Sequence, residues 1–548
     1  MQLLWIDINS SYSHSSFALP AIEAQKEDND GVVWNTVSAT LHTDIATIVE
    51  EAARYCPDII TATAWLFNHN HLLEVISRLK SLFPKAIVLL GGPEFLGDNR
   101  DYLIHHSYID AVFRGEGELE FHRWLKIIHS PNEWKQIKGL CYLTSEGVYH
   151  DNGICKIENF TALTPPENSS FFHWDKPFIQ LETTRGCFNT CAFCVSGNDK
   201  PLRSLPIETI RKRLDKACEK GIRNVRLLDR TFNGNEARAL QLLQLFEKYA
   251  GKICFHLEIH PALLTDKIKN LLKQISPGTL HLEAGIQSLR EEVLNVCQRK
   301  GDLKKALEGL KFLCSLSNME THADLIAGLP LYSLPQIYED ITVLSSFGAG
   351  EIQLESLKLL PGTEMRKKAS EQGIIFSPLP PYEVLQTEWM SVTALKESEM
   401  LSRLLDHFYN NKTWQPVIRK LIGSDNRFLK RFLDFLTPLD ILFQPLSQEK
   451  RGMLLYEFCA TDYPQFITEI SIAWLNAGLS HKKAPALNLK PYTKPLPENI
   501  TAIKGLTTDS MRFYFLSDNF HNYFFGFDRS IKHSEPLFIG ITPKEKKE

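Results

Sequence analysis

Between residues 178 and 375, strand-like segments repeatedly set carboxylates and imidazoles on one face and aliphatic side chains on the other. His256, Glu258 and His260 alternate with Phe255, Leu257 and Ile259, while His281, Glu283 and Gln287 alternate with Leu280, Leu282, Ala284 and Ile286. His322 and Asp324 keep the same spacing, as do Glu351, Gln353 and Glu355. Successive side chains of a strand point to opposite faces, so each strand has a polar and an apolar face. Helical stretches separate the strands, with boundary signals at Leu205-Pro206, Gly221, Gly251 and Gly301. Ordinary (β/α) barrels fill their interior with bulky apolar layers. If helices cover the apolar faces here, the polar faces look into a barrel interior and need hydrogen-bonding partners or a ligand there. A half-exposed sheet with its polar face in water is the alternative. The favoured reading is a partial (β/α)6 barrel over residues 177–390 that holds a charged ligand.

Other regions flank this series, and 548 residues leave room for about three or four domains. Over residues 1–135 short apolar runs (Leu3–Ile8, Val32–Val37, Asp58–Thr63, Ala86–Leu90, Ile109–Phe113) alternate with amphipathic stretches such as Asp44–Tyr55 and His71–Phe83. This predicts a Rossmann-like doubly wound sheet with its ligand beyond the C-terminal ends of the strands. Two runs end in Gly91-Gly92-Pro93-Glu94 and Arg114-Gly115-Glu116-Gly117-Glu118. Those glycines either let a ligand approach the backbone or form ordinary tight turns. Residues 136–176 read as a connector, in which Gly139–Leu143 could add a strand and Thr164–Asn168 makes a turn-rich break. Past residue 391 the rhythm changes: Lys396–Asn410, Trp414–Ile422, Arg427–Leu436 and Pro464–Ala477 look helical, and the aromatic-rich end (Phe513, Tyr514, Phe515, Tyr523, Phe524, Phe525, Phe527) resembles a pair of strands. Residues 391–548 are thus expected to form a mostly helical α+β domain ending in a solvated charge run, Lys544–Glu548.

Apolar residues make up 43% and charged residues 23%, which suits ordinary cores and excludes a largely disordered chain or a disulfide miniprotein. Lys plus Arg total 61 against 65 Asp plus Glu, and the net charge of −4 weighs against a protein that holds nucleic acid by its phosphates. The start MQLLWIDINS has no basic n-region, and no apolar run approaches the ~18 residues of a membrane span. Eleven cysteines, an odd number in a long chain, point to a reducing cytoplasm rather than a disulfide framework. There, Gly186-Cys187-Phe188-Asn189-Thr190-Cys191-Ala192-Phe193-Cys194, directly after the strand Phe178–Thr183, suggests metal. Three thiolates can hold three irons of a cubane that normally takes four, leaving the fourth iron open. A structural zinc site prefers four ligands at shorter paired spacings, and ordinary buried cysteines are the remaining alternative. After Cys314 only Cys459 follows, too few for a second cluster in the C-terminal domain, and Cys56, Cys141 and Cys155 are scattered.

Together these motifs resemble the radical S-adenosylmethionine (SAM) enzymes. C-x3-C-x-aromatic-C at the end of a first barrel strand looks like their signature, and the segments Leu282–Ser288, Asp324–Pro330 and Leu357–Thr363 resemble their fourth, fifth and sixth strands. The first domain is similar to the cobalamin-binding domain that precedes this barrel in one large subgroup. Tyr382–Leu385 and the region after it resemble a branch of that subgroup whose C-terminal domain has no assigned function. The resemblance covers nearly the whole chain. It implies that Cys187, Cys191 and Cys194 ligate a 4Fe-4S cluster, that the open iron takes the amino and carboxylate groups of SAM, and that reduction cleaves SAM to methionine and a 5′-deoxyadenosyl radical. It further implies Phe193 near the adenine, Glu283, Gln287 and Ser288 facing the cofactor, Ile326 and Gly328 lining the adenine, and Gly91, Gly92, Glu94, Gly115 and Gly117 beside cobalamin.

Two departures from the family pattern stand out. Leu227–Asn233 replaces the Gly-Gly-Glu type end of the second strand, which makes Asp229 the candidate partner of the methionine amino group. The first domain also lacks Asp-x-His-x-x-Gly, so His14, His42, His69 and His71 read as surface residues and cobalt is expected without that lower histidine. The expected function is a cobalamin-binding radical SAM enzyme, foremost a methyltransferase to an unactivated carbon. A non-methylating member (rearrangement, cyclisation or epimerisation) stands next, and then a non-catalytic iron–sulfur or cobalamin sensor, which has no need of a polar barrel. Glu258 and His260 are candidate acid or base groups, or else hydrogen-bond the cofactor. Tyr382 and the C-terminal aromatics either close the barrel or form core. The resemblance implies an electron donor such as flavodoxin or ferredoxin, and a small-molecule, lipid-precursor or peptide substrate fits.

Overall fold

The computed structural model describes residues 1–27, 31–197, 199–480, 490–493, 511–517, 521–528 and 538–543. The charged tail Lys544–Glu548 lies outside them. The first sheet contains β1 (Gln2–Asn9), β2 (Val33–Thr40), β3 (Ile59–Thr63), β4 (Ile87–Gly91), β5 (Ala111–Phe113), β6 (Leu140–Leu143) and β7 (Tyr149–Asp151) in the order β2-β1-β3-β4-β5-β6-β7. The first five strands are parallel, and the near-continuous burial of β1 is what a strand covered on both faces requires. Leu4, Ile6, Ile60, Val88 and Leu90 form one core with Ile48, Leu72 and Val75, while Leu3, Ile59, Leu89 and Phe113 form another with Phe121 and Trp124. The strand order reverses between β1 and β3, the place where such sheets bind ligands.

The strand offered at Gly139–Leu143 forms as β6, and it and β7 add to the sheet antiparallel, Ala111 pairing with Tyr142 and Cys141 with Asp151. Leu140, Cys141 and Tyr142 are buried, so this short run completes the core at the sheet edge.

The second series follows as β8 (Ile179–Leu181), the antiparallel pair β9 (Thr184–Arg185) and β10 (Arg203–Ser204), then β11 (Asn224–Leu227), β12 (Cys254–Ile259), β13 (Leu280–Gln287) and β14 (Glu320–Ala327). Strands β8, β11, β12, β13 and β14 are neighbours in that order and run parallel. Along β12 and β13 burial alternates without a break: Phe255, Leu257, Leu282 and Ala284 are buried, and the polar residues between them are half-buried. The period-2 pattern therefore sets these two strands as expected, apolar face outward to the helices and polar face inward. A sixth strand, β15 (Glu351–Ser356), follows in sequence, and β16 (Ile375–Phe376) and β17 (Val384–Gln386) form a short antiparallel pair.

The chain divides into two compact units, residues 1–334 with 356–395 and residues 335–355 with 396–548. The second unit thus claims residues 335–355, which the sequence assigns to the barrel. Within it, Asn410 brackets Ile352 by accepting from its N–H at 2.9 Å and donating to its carbonyl at 3.0 Å, and the Tyr409 hydroxyl donates to the Ala349 carbonyl at 2.9 Å. The helices Gln415–Ser424, Phe428–Leu436 and Ile467–Asn476 lie near their predicted places. The helix Gln448–Asp462 was not predicted, and Gly452 in its middle ordinarily weakens a helix. Its reason is packing: a Cβ there would meet the rings of Trp414 and Trp474 at 2.6 Å. The aromatic end forms the expected pair of strands, β19 (Met511–Ser517) and β20 (His521–Asp528), and among the described residues β18 (Lys490–Pro491) and β21 (Phe538–Pro543) flank that pair antiparallel. Phe524 and Phe525 are buried there as core. Among the described residues no helix is long and apolar enough to cross a membrane.

Candidate active site

The β9–β10 pair closes the base of the cysteine loop. A Cβ at Gly186, whose φ is +92°, would come within 2.5 Å of the Asp199 carbonyl oxygen, and one at Gly197 within 2.5 Å of that of Cys191. Both glycines are needed because the loop folds back on itself. That fold aims donors at all three sulfurs. The Asn189 N–H reaches Cys187 Sγ at 3.4 Å, the Ser196 N–H reaches Cys194 Sγ at 3.4 Å, and Arg299 Nη1 reaches Cys191 Sγ at 3.5 Å. Burial pushes the Cys191 thiol up, and the Arg299 guanidinium offsets part of that. Among the described residues no three His, Cys, Asp or Glu side chains converge as ligands of one metal ion. In a cubane each thiolate binds its own iron, whereas a structural zinc site gathers four ligands on one ion. Two segments brace the loop from outside. Asn189 exchanges hydrogen bonds with the Lys300 backbone at 2.8 and 3.0 Å, Ala192 N–H donates to Cys297 O at 2.9 Å, and Met365 N–H donates to Ala192 O at 2.9 Å.

Inside the barrel the polar faces align in rows. Glu258 lies opposite Glu283, which lies opposite His322; one step down, His256 lies opposite His281, which lies opposite Glu320. Facing carboxylates repel one another. Burial pushes the Glu258 carboxyl up to about 7, with Glu283, Asp324 and Asp229 adding to the rise and Arg230, 3.8 Å away, opposing it. Burial, with His281, Arg226 and His322, pulls His256 down to about 4. His281 and His322 share a hydrogen bond of 2.7 Å between their Nε2 atoms.

The other barrel candidates fall at the C-terminal ends of the strands. Gln287 has φ of +71° beside a register shift opposite Asp324 and Leu325, a conformation uncommon outside glycine. Ser288 is buried and its Oγ accepts from the Arg290 N–H at 3.2 Å. Glu283 and Ile326 sit half-buried on the inward faces, Phe193 is half-buried in the cysteine loop, and Gly328 has φ of +89°. Asp229 is buried, its Oδ1 accepts from the N–H groups of Thr183 and Thr184 at 2.8 and 3.0 Å, and its Oδ2 accepts from the Thr183 hydroxyl. These bonds hold the ends of β8 and β11 together and leave acceptor capacity on Oδ2. His260 is also buried, behind the loop: its Nδ1 accepts from the Ala262 N–H at 3.3 Å, and its ring stands edge-on to Phe188 at 5.5 Å. Burial pulls it down to about 4, so it is neutral at ordinary pH.

A cavity of about 540 Å³ lies beyond the C-terminal ends of the first sheet. Asn9, Thr61, Thr63, Gly91, Gly92, Gly115 and Gly117 line one side, with Trp5, Trp65 and Phe67 supplying apolar surface. Gln180, Glu182, Arg185, Gly186, Val195 and Ser196 line the other, so the cavity reaches the cysteine loop. This broad apolar hollow over exposed glycine backbone fits a corrin macrocycle. At two glycines the chain itself sets the requirement: a Cβ at Gly92 would come within 2.4 Å of Ala64 O, and one at Gly115 within 2.2 Å of Cys155 O. Glu94 is a correction, since it turns away from the cavity into a buried hydrogen bond of 2.7 Å from the Tyr382 hydroxyl. So are two of the supposed surface histidines: His69 is buried against Tyr102, and His14 lines the cavity.

Sequence reasoning missed the cations that hold these parts together. Arg185 reaches Glu118 at 2.6 Å and Glu182 at 2.9 Å, and Arg203 reaches Glu116 at 2.7 Å. The Gly-Glu-Gly-Glu segment was read for its glycines alone; two arginines flanking the cysteine loop were the available signal. Arg299 carried no local signal.

The sequence profile of the radical SAM superfamily matches residues 181–341, that of the B12 binding domain residues 6–124, and that of a protein family of unknown function, DUF4080, residues 370–472. An uncharacterized methyltransferase of Pyrococcus horikoshii is 23% identical over 74% of this chain and 89% of its own length. The cobalamin-dependent radical SAM methyltransferase TokK of Streptomyces tokunonensis is 21% identical over 58% of this chain, which spans only 50% of that relative. Among solved structures, the cobalamin-dependent SAM radical enzyme OxsB with aqua-cobalamin and SAM bound superposes with a TM-score of 0.62 at 13% identity, over 86% of this chain and 78% of that one. The radical SAM methyltransferase TsrM from Kitasatospora setae, with cobalamin and a 4Fe-4S cluster bound, gives 0.56 at 16% identity over 72% and 81%. These likenesses establish the fold.

Proposed function

Because the chain belongs to the radical SAM superfamily and carries a B12-binding domain ahead of its barrel, we propose that it is a cobalamin-dependent methyltransferase acting on an unactivated carbon. The observation that carries this reading is the single cavity lined both by the strand ends of the first sheet and by Gly186, Val195 and Ser196 of the cysteine loop. Bound there, the cofactors would supply methyl carriage and one-electron chemistry on SAM.

The protein's own groups bind, orient and shield. Cys187, Cys191 and Cys194 hold the cluster, and the donors from Asn189, Ser196 and Arg299 disperse thiolate charge. Glu283 and Glu258 offer negative charge to a cationic SAM, with Glu258 able to carry a proton on its carboxyl near neutral pH. Phe193, Gln287, Ser288, Ile326 and Gly328 close round the adenosyl end. Gly91, Gly92, Gly115 and Gly117 leave backbone open to the corrin, and Trp5, Trp65 and Phe67 give it apolar surface to lie against. Asp229 and His260 act as positioning residues for the strand ends and the loop. A cytoplasmic location and a small-molecule, lipid-precursor or peptide substrate belong to the same reading.

The test is product analysis with reduced, cobalamin-loaded and cluster-loaded protein. SAM is expected to yield both S-adenosylhomocysteine and 5′-deoxyadenosine. 5′-Deoxyadenosine without S-adenosylhomocysteine, while a substrate is converted, would exclude methyl transfer.

A further inference from the structure

The segments that brace the cysteine loop lead into exposed cations. Two segments brace the loop through Ala192, the residue after Cys191: its N–H donates to Cys297 O, and its carbonyl accepts from Met365 N–H, both at 2.9 Å. Each segment runs straight into lysines. Residues 300–305 contain Lys300, Lys304 and Lys305 against Asp302, and residues 364–368 contain Arg366, Lys367 and Lys368 against Glu364. Arg366 is engaged with the Leu359 carbonyl and the Tyr382 ring, which leaves five lysines against two anions in a chain whose net charge is −4. The anions are partly committed: Asp302 Oδ1 accepts from the Lys305 N–H at 3.0 Å, and Glu364 pairs with Lys367 at 2.8 Å. Lys300, Lys304, Lys305, Lys367 and Lys368 are all exposed.

Stability does not explain this arrangement. Lys304 and Lys305 occupy the first turn of the helix Leu303–Cys314, where the helix dipole is already positive and cations are unfavourable. The helix end and the charges of Lys304 and Lys305 therefore add in sign, a short chain distance from Lys300 and its bond to the cysteine loop. Lys300 is one side chain from a ligand, since its backbone N–H bonds Asn189, whose own N–H points at Cys187 Sγ.

We infer that this basic collar is the docking surface for an acidic one-electron donor protein. The inference rests on the radical SAM reading, which requires an electron from outside. The step is electron transfer alone: the donor's centre loses one electron, the cluster on Cys187, Cys191 and Cys194 gains it, and no bond forms or breaks. Complementary charge would act mainly on the rate of encounter, raising it by about tenfold or more at low salt.

The test compares two charge-reversed variants, K304E/K305E and K367E/K368E, with the parent protein in the loaded state. SAM cleavage is driven by reduced acidic flavodoxin, by reduced acidic ferredoxin, or by dithionite. With the protein that drives the parent better, both variants should lose about tenfold in rate at low salt, and added salt should slow the parent towards them. Dithionite rates and iron content should match in all three, which separates a docking defect from misfolding. Parental rates with both donor proteins in both variants, or no salt dependence in the parent, would overturn the docking surface. Absence of 5′-deoxyadenosine from the parent with dithionite would instead overturn the functional reading beneath it.

Discussion

Glu258 sits where burial and three neighbouring carboxylates outweigh one guanidinium, so its carboxyl titrates at about 7 instead of the ordinary 4.5. Between those values the folded chain keeps a proton that the unfolded chain has released. The Glu258 contribution to stability therefore falls as pH rises from about 4.5 through 7. Glu258→Gln should gain stability relative to the parent across that window, most at its upper end, as read by thermal unfolding at stepped pH. An unchanged difference from pH 5 to 8 would place Glu258 in open solvent. His256 and His260, pulled down to about 4, act the other way: they favour the folded state above the ordinary imidazole value of 6.5 and lose that benefit as pH falls towards 4. The legible residues at this scale were those defined by local spacing. Cys187, Cys191 and Cys194 lie on one turn of chain, which directs its own N–H groups at Cys187 and Cys194, while the donor to Cys191 comes from the distant Arg299. Glu94 was not legible because its partner, Tyr382, is 288 residues away. The tie between Asp229 and the Thr183–Thr184 segment was not legible, because the partners lie 45 and 46 residues away and two of the three donors are backbone N–H groups.

At the scale of elements, ion pairs hold the connector and the barrel in place. Arg213 of the helix Ile207–Glu219 donates to Glu167 through Nη2 at 2.7 Å and through Nε at 2.9 Å, with both side chains at 8% exposure or less. Removing one member of such a buried pair leaves the other charge uncompensated, at a cost of about 3–5 kcal/mol. Arg213→Met should show that loss in denaturant unfolding, and Arg213→Met with Glu167→Leu should recover much of it. A loss under about 1 kcal/mol for the single variant would mean that water reaches Glu167. Strands β12 and β13 could be read from the sequence because their period of 2 is unbroken, one face packing against helices and the other lining the interior. Strand β6 falls within the Gly139–Leu143 run offered as a strand, whereas β7 could not be read, because its place is set by pairing to β6 and not by its own pattern. The helix Gln448–Asp462 hides behind Gly452, whose presence answers two tryptophans from other helices.

On the scale of the whole molecule, the first unit joins a doubly wound sheet and a polar-faced β/α series around one cavity, with Arg185 and Arg203 fastening the Glu116–Glu118 loop to the strand pair that bears the cysteines. The three matched families lie along the chain in the order the sequence suggested, although the compact units cut it differently, at 335–355. That division depends on contacts such as Asn410 with Ile352, which no linear reading of domain boundaries supplies. The central claim is that this unit carries two metal centres together. It is tested most directly by iron, sulfide and cobalt content, with an absorption spectrum, on protein purified without oxygen and reconstituted with hydroxocobalamin. About four irons and one cobalt per chain are expected, with iron lost in Cys191→Ala. Zinc in place of iron, or four irons with no cobalt retained, would contradict the account.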